Sequence, residues 1–275
     1  MPEPLAPRLW VDEDQTPRND PLYVPHRYLA SIRAVFRRII DNPVGQQVVA
    51  SLRRDVVIVP LRNGNERNAF AGTRSRTWDA ERAATPRGEP VRYCSDSRRT
   101  PVDETGRTVP GVGPGTGAGT TARVQFSPWM FAGPVPWAPT PRAGDEYAPW
   151  ADEVLVHELV HAAQITRGLC SCAPVGHGYD TFSEFCAVTV QSMYASCRPD
   201  GHVRTNHRGH IARSPRSSGD VLPPTLLEHD ESVMLSRFRR DMEDLCGALE
   251  GVPNPPMRYN PFLEQRRVEA QALQG

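Results

Sequence analysis

His157-Glu158-Leu159-Val160-His161 reads H-E-x-x-H. On a helix, residues four apart lie one turn apart on one face, so both imidazoles can ligate a single zinc ion. Glu158 projects beside them, where its carboxylate can take a proton from a water at the metal. Zinc lowers the pKa of such a water toward ~7, which brings hydrolysis within reach near neutral pH. A structural zinc site is closed by four protein ligands, whereas a catalytic site uses three and keeps one position open. The motif therefore asks for one more ligand.

The candidates are Glu184, Asp180, His177 and the pair Cys170 and Cys172. Glu184 is favoured because it follows His161 by 23 residues and falls on the next helical segment. That spacing suits a helix packed antiparallel to the first, and the small neighbours Ala187 and Ala195 permit close approach. A purely local role is the alternative: Thr181-Phe182-Ser183-Glu184 fits a capping box, in which the carboxylate bonds back to the helix start. His177, in the loop Val175-Gly176-His177-Gly178-Tyr179, is a substitute. Glu153, one turn before His157, could orient that imidazole, or could simply be a solvated first-turn acid. Acyl hydrolysis also needs a donor for the developing oxyanion. Tyr179, His207 and His210 lead that set, with Tyr194, His202 and Tyr259 behind them.

Elements must hold these groups in place. The motif is flanked by Val154-Leu155-Val156 and Ala162-Ala163, so its helix, about 149–167, is apolar nearly all round and should be buried. Two His and a Glu inside such a helix are costly unless paired or metal-bound. Further helices are expected over about 181–196 and 230–249, the latter from the stripe Met234, Phe238, Met242 and Leu245. Upstream, Leu29, Ile32, Val35, Phe36, Ile39 and Ile40 mark an amphipathic helix with Arg33, Arg37 and Arg38 outside the stripe, ended by Asp41-Asn42-Pro43. That helix fits against a core better than on a membrane surface. Strands are expected at 55–60, 71–78, 89–93 and 123–127. Residues 1–24 read as disordered, 25–250 as one domain, and 251–275 as a tail. The run Gly111–Gly119 lacks the Gly-Lys-Ser/Thr of a phosphate loop and reads as a flexible loop.

Composition removes other classes. The chain has 275 residues, 32 basic and 32 acidic, so its formal charge is zero and phosphate neutralisation is a poor basis for its binding. No apolar run approaches the ~18 residues of a membrane span. With 21 Gly and 28 Pro the chain is globular but rich in loops. All 32 basic residues are Arg. A GC-rich genome explains this, as would escape from ubiquitination, which needs Lys. The N-terminus lacks the apolar stretch of a Sec signal peptide, so specialised secretion is the expected export route. The six Cys are read as reduced by default, with a local disulfide near 170–172 as the alternative.

Asp152-Glu153-Val154-Leu155-Val156-His157-Glu158-Leu159-Val160-His161-Ala162, followed by Tyr179-Asp180-Thr181-Phe182-Ser183-Glu184-Phe185-Cys186-Ala187, resembles the gluzincin pattern. Within it the chain is similar to the NleD-like zinc metallopeptidases that bacteria deliver into host cells. Asn42-Pro43-Val44-Gly45, the strand Val56–Val59 and Asn68-Ala69 resemble their upstream region. Where relatives often carry two consecutive acids, this chain has Ser183-Glu184. The resemblance covers about 28–200. It implies His157, His161 and Glu184 as ligands of one zinc, Glu158 as base, and a protein substrate such as a host signalling protein. The expectation is thus an α+β, zincin-like domain, with a small sheet beside the H-E-x-x-H helix and a mostly helical second half. Its function would be that of a zinc endopeptidase, secreted by a specialised system and acting in a target-cell cytosol as effector or toxin. The alternatives are a non-catalytic binding protein using Trp129, Trp137 and Trp150, an antibacterial zinc hydrolase toxin, or a zinc hydrolase of a non-peptide bond.

Overall fold

The computed structural model describes residues 2–12, 23–61, 69–91, 113–131, 150–176, 178–198, 202–204, 211–213 and 229–272. Their architecture is α+β. The strands β1 (Glu3–Ala6), β2 (Leu9–Val11), β3 (Val56–Val59), β4 (Phe70–Thr73) and β5 (Ala122–Gln125) form one mixed sheet in the order β1-β2-β3-β5-β4. β2, β3 and β5 run parallel, and the two edges, β1 and β4, run antiparallel to their neighbours. Parallel neighbours need a crossover. Two helices supply it between β2 and β3: α1 (Pro25–Ile40) and α2 (Pro43–Ala50). β3, Val-Val-Ile-Val, is buried at all four positions, as a central strand should be.

Residues 3–11 therefore depart from the expected disorder of 1–24. Leu9 and Val11 are buried and pair with β3, so two apolar positions in a polar stretch suffice to dock it. α1 starts at Pro25 and buries Tyr28, Ile32, Val35, Phe36 and Ile39, which places it on the core. The Asn42 side chain caps α2 by accepting from the Val44 and Gly45 N–H groups, and its own amide donates to the Tyr194 carbonyl.

α3 (Trp78–Ala84) occupies the end of the expected strand 71–78, because Thr77 caps a helix there. At 89–93 only a single bridge, Pro90 to Pro114, is described. The second half of the Gly-rich run is not a loose loop. Its N–H groups bond to the carbonyls of Arg82, Ala83 and Thr85 around the end of α3. Gly119 and Gly168 both have positive φ, and a Cβ on Gly168 would fall 2.4 Å from the Gly117 backbone. Glycine is required for that close approach.

α4 (Ala151–Arg167) carries the motif, is buried from Ala151 to Thr166, and ends on Gly168 in the left-handed conformation. It packs against β4, β5, α1, α2 and α3, and most extensively against α5 (Phe182–Ser196). β6 (His202–Arg204) and β7 (Ile211–Arg213) form a separate hairpin, with β6 against α5. The expected helix 230–249 is broken at Met242 into α6 (His229–Asp241) and α7 (Glu243–Glu250), while Met234, Phe238, Met242 and Leu245 are all buried as the stripe requires. The expected tail is instead part of the core. Val252, Met257, Tyr259 and Phe262 are buried, and α8 (Pro261–Ala272) packs on α6 and α7. Among the described residues no helix is long and apolar enough to cross a membrane.

Candidate metal centre

α4 and α5 lie antiparallel, so the middle of α4 faces the first two turns of α5. His157 and His161 project from one face of α4 and Glu184 from the start of α5. Their ligand atoms lie within 4.8 Å of one another. His157 Nε2 is 3.2 Å from His161 Nε2 and 3.2 Å from Glu184 Oε2, and His161 Nε2 is 3.4 Å from Glu184 Oε1. A tetrahedral ion with ligands at ~2.0–2.1 Å sets them about 3.3–3.4 Å apart. The two imidazoles stand near that spacing from each other, and each stands near it from one of the two Glu184 oxygens, so the residues could hold one metal ion with three protein ligands. Thr181 does cap α5, accepting from the Glu184 N–H at 3.2 Å, but the Glu184 carboxylate is turned onto the imidazoles. Half of the capping box forms and the other half is given to the site.

The charges agree with a cation site. Burial pushes His157 down to about 4, in spite of its contact with Glu184, so it is a neutral lone-pair donor. Burial also opposes the charged form of His161, but the carboxylates of Glu184 and Glu158 outweigh it and push that imidazole up to about 9. Burial works against Glu184 ionising, yet His161 and His157 hold its carboxyl far below the usual range. The carboxylate thus draws positive charge to the point where the three atoms meet. Glu158, the next residue on α4, is buried and reaches the edge strand β4, where Ala71 gives it a backbone hydrogen bond. Burial pushes it up to about 7, against the pull of His161 and that bond.

The sequence did not single out the groups behind the ligands. His157 Nδ1 lies 3.1 Å from Gln191 Oε1, and Arg204 donates to the same oxygen at 2.8 Å. Gln191 is seven residues after Glu184, hence on the same face of α5, which is the signal that could have found it. Glu153, expected behind His157, is paired with Arg198. Arg198 also pairs with the fully buried Asp152, which takes a 2.7 Å hydrogen bond from Tyr194 and lies 3.3 Å from Arg38 Nε. Tyr194 is therefore a structural group at the far end of α5, not a donor for the site.

Of the other candidates, Asp180 is exposed and stands outside the cluster. Tyr179 is buried with its ring 5.1 Å from Phe185, and its hydroxyl is pushed up by burial and by Glu231, so it stays protonated. Tyr259 is buried in the core near Tyr179 and Glu231. His177, His207, His210 and Trp137 lie outside the described residues, as does the side chain of His202. Trp129 packs against Tyr23 and Tyr28, while Trp150 is 57% exposed. The reduced-thiol reading holds for Cys170, Cys186, Cys197 and Cys246 but fails at Cys172, which is disulfide-bonded. No family model matches the chain, and no curated protein matches it.

Proposed function

We propose that the chain is a zinc-dependent hydrolase of the zincin type, acting as an endopeptidase on a protein of a target cell. One observation carries this reading: His157, His161 and Glu184 each bring a ligand atom within 4.8 Å of the other two, with Glu158 next to His157 on the same helix. Among the described residues three protein ligands meet, and three rather than four is the number of a catalytic site. The resemblance to NleD-like metallopeptidases supports the same assignment and adds a bacterial effector as the source.

Zinc held there would polarise the scissile carbonyl and acidify a water. Glu158 would take a proton from the attacking water and return it to the leaving amine. The Ala71 backbone on β4 favours the ionised form of Glu158, which burial opposes. His157, His161 and Glu184 keep their positions because α4 is buried on nearly every side.

The test is metal content by inductively coupled plasma mass spectrometry, together with cleavage of a peptide library. About one zinc per wild-type chain, far less in Glu184→Ala, and cleavage abolished in Glu158→Gln with zinc retained would support the reading. Full cleavage by Glu158→Gln would remove the base from it. A second reading concerns the site of action. Disulfides persist in oxidising compartments and are rare in cytosol, so the bond at Cys172 favours an antibacterial hydrolase working in a periplasm over a cytosolic effector.

A further inference from the structure

The ring of His157 can ligate a metal through Nε2 only when its proton sits on Nδ1. Its neighbour Gln191 does not by itself guarantee that. An amide offers a carbonyl oxygen on one side and an NH2 on the other. With Oε1 toward the ring, Nδ1 must be the donor and Nε2 is left bare. With the amide reversed, the NH2 would donate to Nδ1, the proton would move to Nε2, and the ligand would be lost.

Arg204 removes the ambiguity. Its Nη1 donates to Gln191 Oε1 at 2.8 Å, and a guanidinium has only donors to give. A reversed amide would turn its NH2 toward another donor. Arg204 is itself fixed on α5: its backbone N–H donates to Ser192 Oγ at 3.0 Å, and its carbonyl lies 3.4 Å from the same hydroxyl. The hairpin strand β6 is thereby tied to the helix turn next to Gln191.

We propose that Arg204 is a positioning residue for the metal centre, locking the Gln191 amide so that His157 is held as the Nδ1–H tautomer with Nε2 free to ligate. This deepens, and rests on, the zinc-site reading above. The sign of the charge separates the proposal from simple electrostatics. Arg204 is a cation near a cation site, so by Coulomb's law alone its removal would strengthen metal binding. A loss of affinity must come through positioning.

The experiment measures zinc affinity by competition with a chromogenic chelator, in the whole chain, for wild type, Arg204→Met, Gln191→Glu and the double variant. Circular dichroism checks that each is folded. Met keeps the apolar stem of Arg, which protects packing. The partner behind a metal-bound His is worth about 10–100-fold in affinity, so Arg204→Met should weaken zinc binding by that order. Glu at 191 has acceptors only, and no rotation of it can present a donor. The double variant should therefore recover most of the wild-type affinity. A double variant as weak as Arg204→Met would show that Arg204 merely supports the fold and would overturn the proposal, as would an Arg204→Met affinity equal to wild type. Wild type that takes up no zinc would instead overturn the metal-site reading itself.

Discussion

The interface between α4 and α5 buries polar groups at two places, and the two are built differently. At one end Asp152 and Glu153 meet Arg198, Arg38 and Tyr194, so the chain supplies the cations for its own buried anions. The Arg198 guanidinium also lies 5.6 Å from the Trp150 ring centroid and 5.3 Å from that of Tyr194. In the middle, His157, His161 and Glu184 turn three lone pairs on one point. Buried charge is tolerated when paired. The first cluster is closed by protein, while the second is arranged around a position that an ion would fill. Helix packing alone would be served by either, so the open cluster is the one to which the proposed function is assigned.

Removing one member should break the two clusters in different ways. The largest effect belongs to Glu184→Ala, which deletes a ligand: zinc affinity should fall by at least about 100-fold, beyond the range for outer partners. A thermal shift assay reads this directly. Zinc should raise the wild-type Tm, since a ligand bound only by the folded state stabilises it, and leave the Tm of Glu184→Ala nearly unchanged. An equal zinc-dependent rise in both would move the third ligand elsewhere. Asp152→Ala should do the reverse. It removes the fully buried carboxylate that Arg198, Arg38 and Tyr194 share, leaves Arg198 with Glu153 alone, and costs about 3–5 kcal/mol of stability by the behaviour of buried pairs, while the protein that remains folded should still bind one zinc. Denaturant melts with metal analysis separate the two outcomes, and an unchanged midpoint would show that the closed cluster is not held by its charges.

How far the site could be read from sequence follows the same division. H-E-x-x-H and the buried helix around it are local patterns with fixed helical spacing, so they are visible, and Glu184 is reached only as the favoured of several acids, thiols and a histidine that follow the motif. The clusters behind them are pairings between distant residues. Arg198 meets Asp152 and Arg204 meets Gln191 only after α5 and β6 have packed, and the sequence carries no period that marks them. The same holds for the fold. Periodicity marks α1 and the stripe shared by α6 and α7, and an apolar surround marks α4, whereas β1 and β2 escape notice because a short edge hairpin with Pro4 and charged neighbours looks like a disordered terminus. The Gly-rich segment was misread because its role is backbone contact, and backbone contact leaves no side-chain pattern.

The cysteines sharpen the contrast between a reactive centre and an inert core. Burial pushes Cys197 up to about 11 and Cys170 up to about 12, and raises Cys186 and Cys246 well above their ordinary range. The thiolate is the nucleophile. At pH 8 these four should resist iodoacetamide in the native chain and label fully in guanidinium, with Cys172 labelled only after reduction. Peptide mass spectrometry checks each position. Rapid native labelling of Cys186 or Cys246 would mean that the packing of α5, α6 and α7 opens around them, and the picture of an inert core would fail.

The smallest effect is expected where pairing occurs without burial. Asp244 on α7 binds Arg167 at 2.8 Å and also pairs with Arg53, but its side chain is 43% exposed. What little burial it has would raise its pKa, yet the hydrogen bond and charge of Arg167 outweigh that and lower it. A carboxyl depressed in the folded state stabilises above its unfolded pKa, and that contribution disappears as pH falls through the folded value. Asp244→Asn should therefore cost at most about 1 kcal/mol at neutral pH, the scale of exposed ion pairs. The loss should shrink further in 1 M salt and vanish well below pH 4. Urea melts at pH 7 and pH 3 measure it. A cost as large as that of Asp152→Ala would show that the number of partners, rather than exclusion from water, sets the strength of these clusters. Water already solvates Asp244 and Arg53, and Arg167 keeps its hydrogen bond to the Ser51 carbonyl, so the small value is the expected one, and the distance between it and the Asp152 value measures what burial adds at the α4–α5 interface.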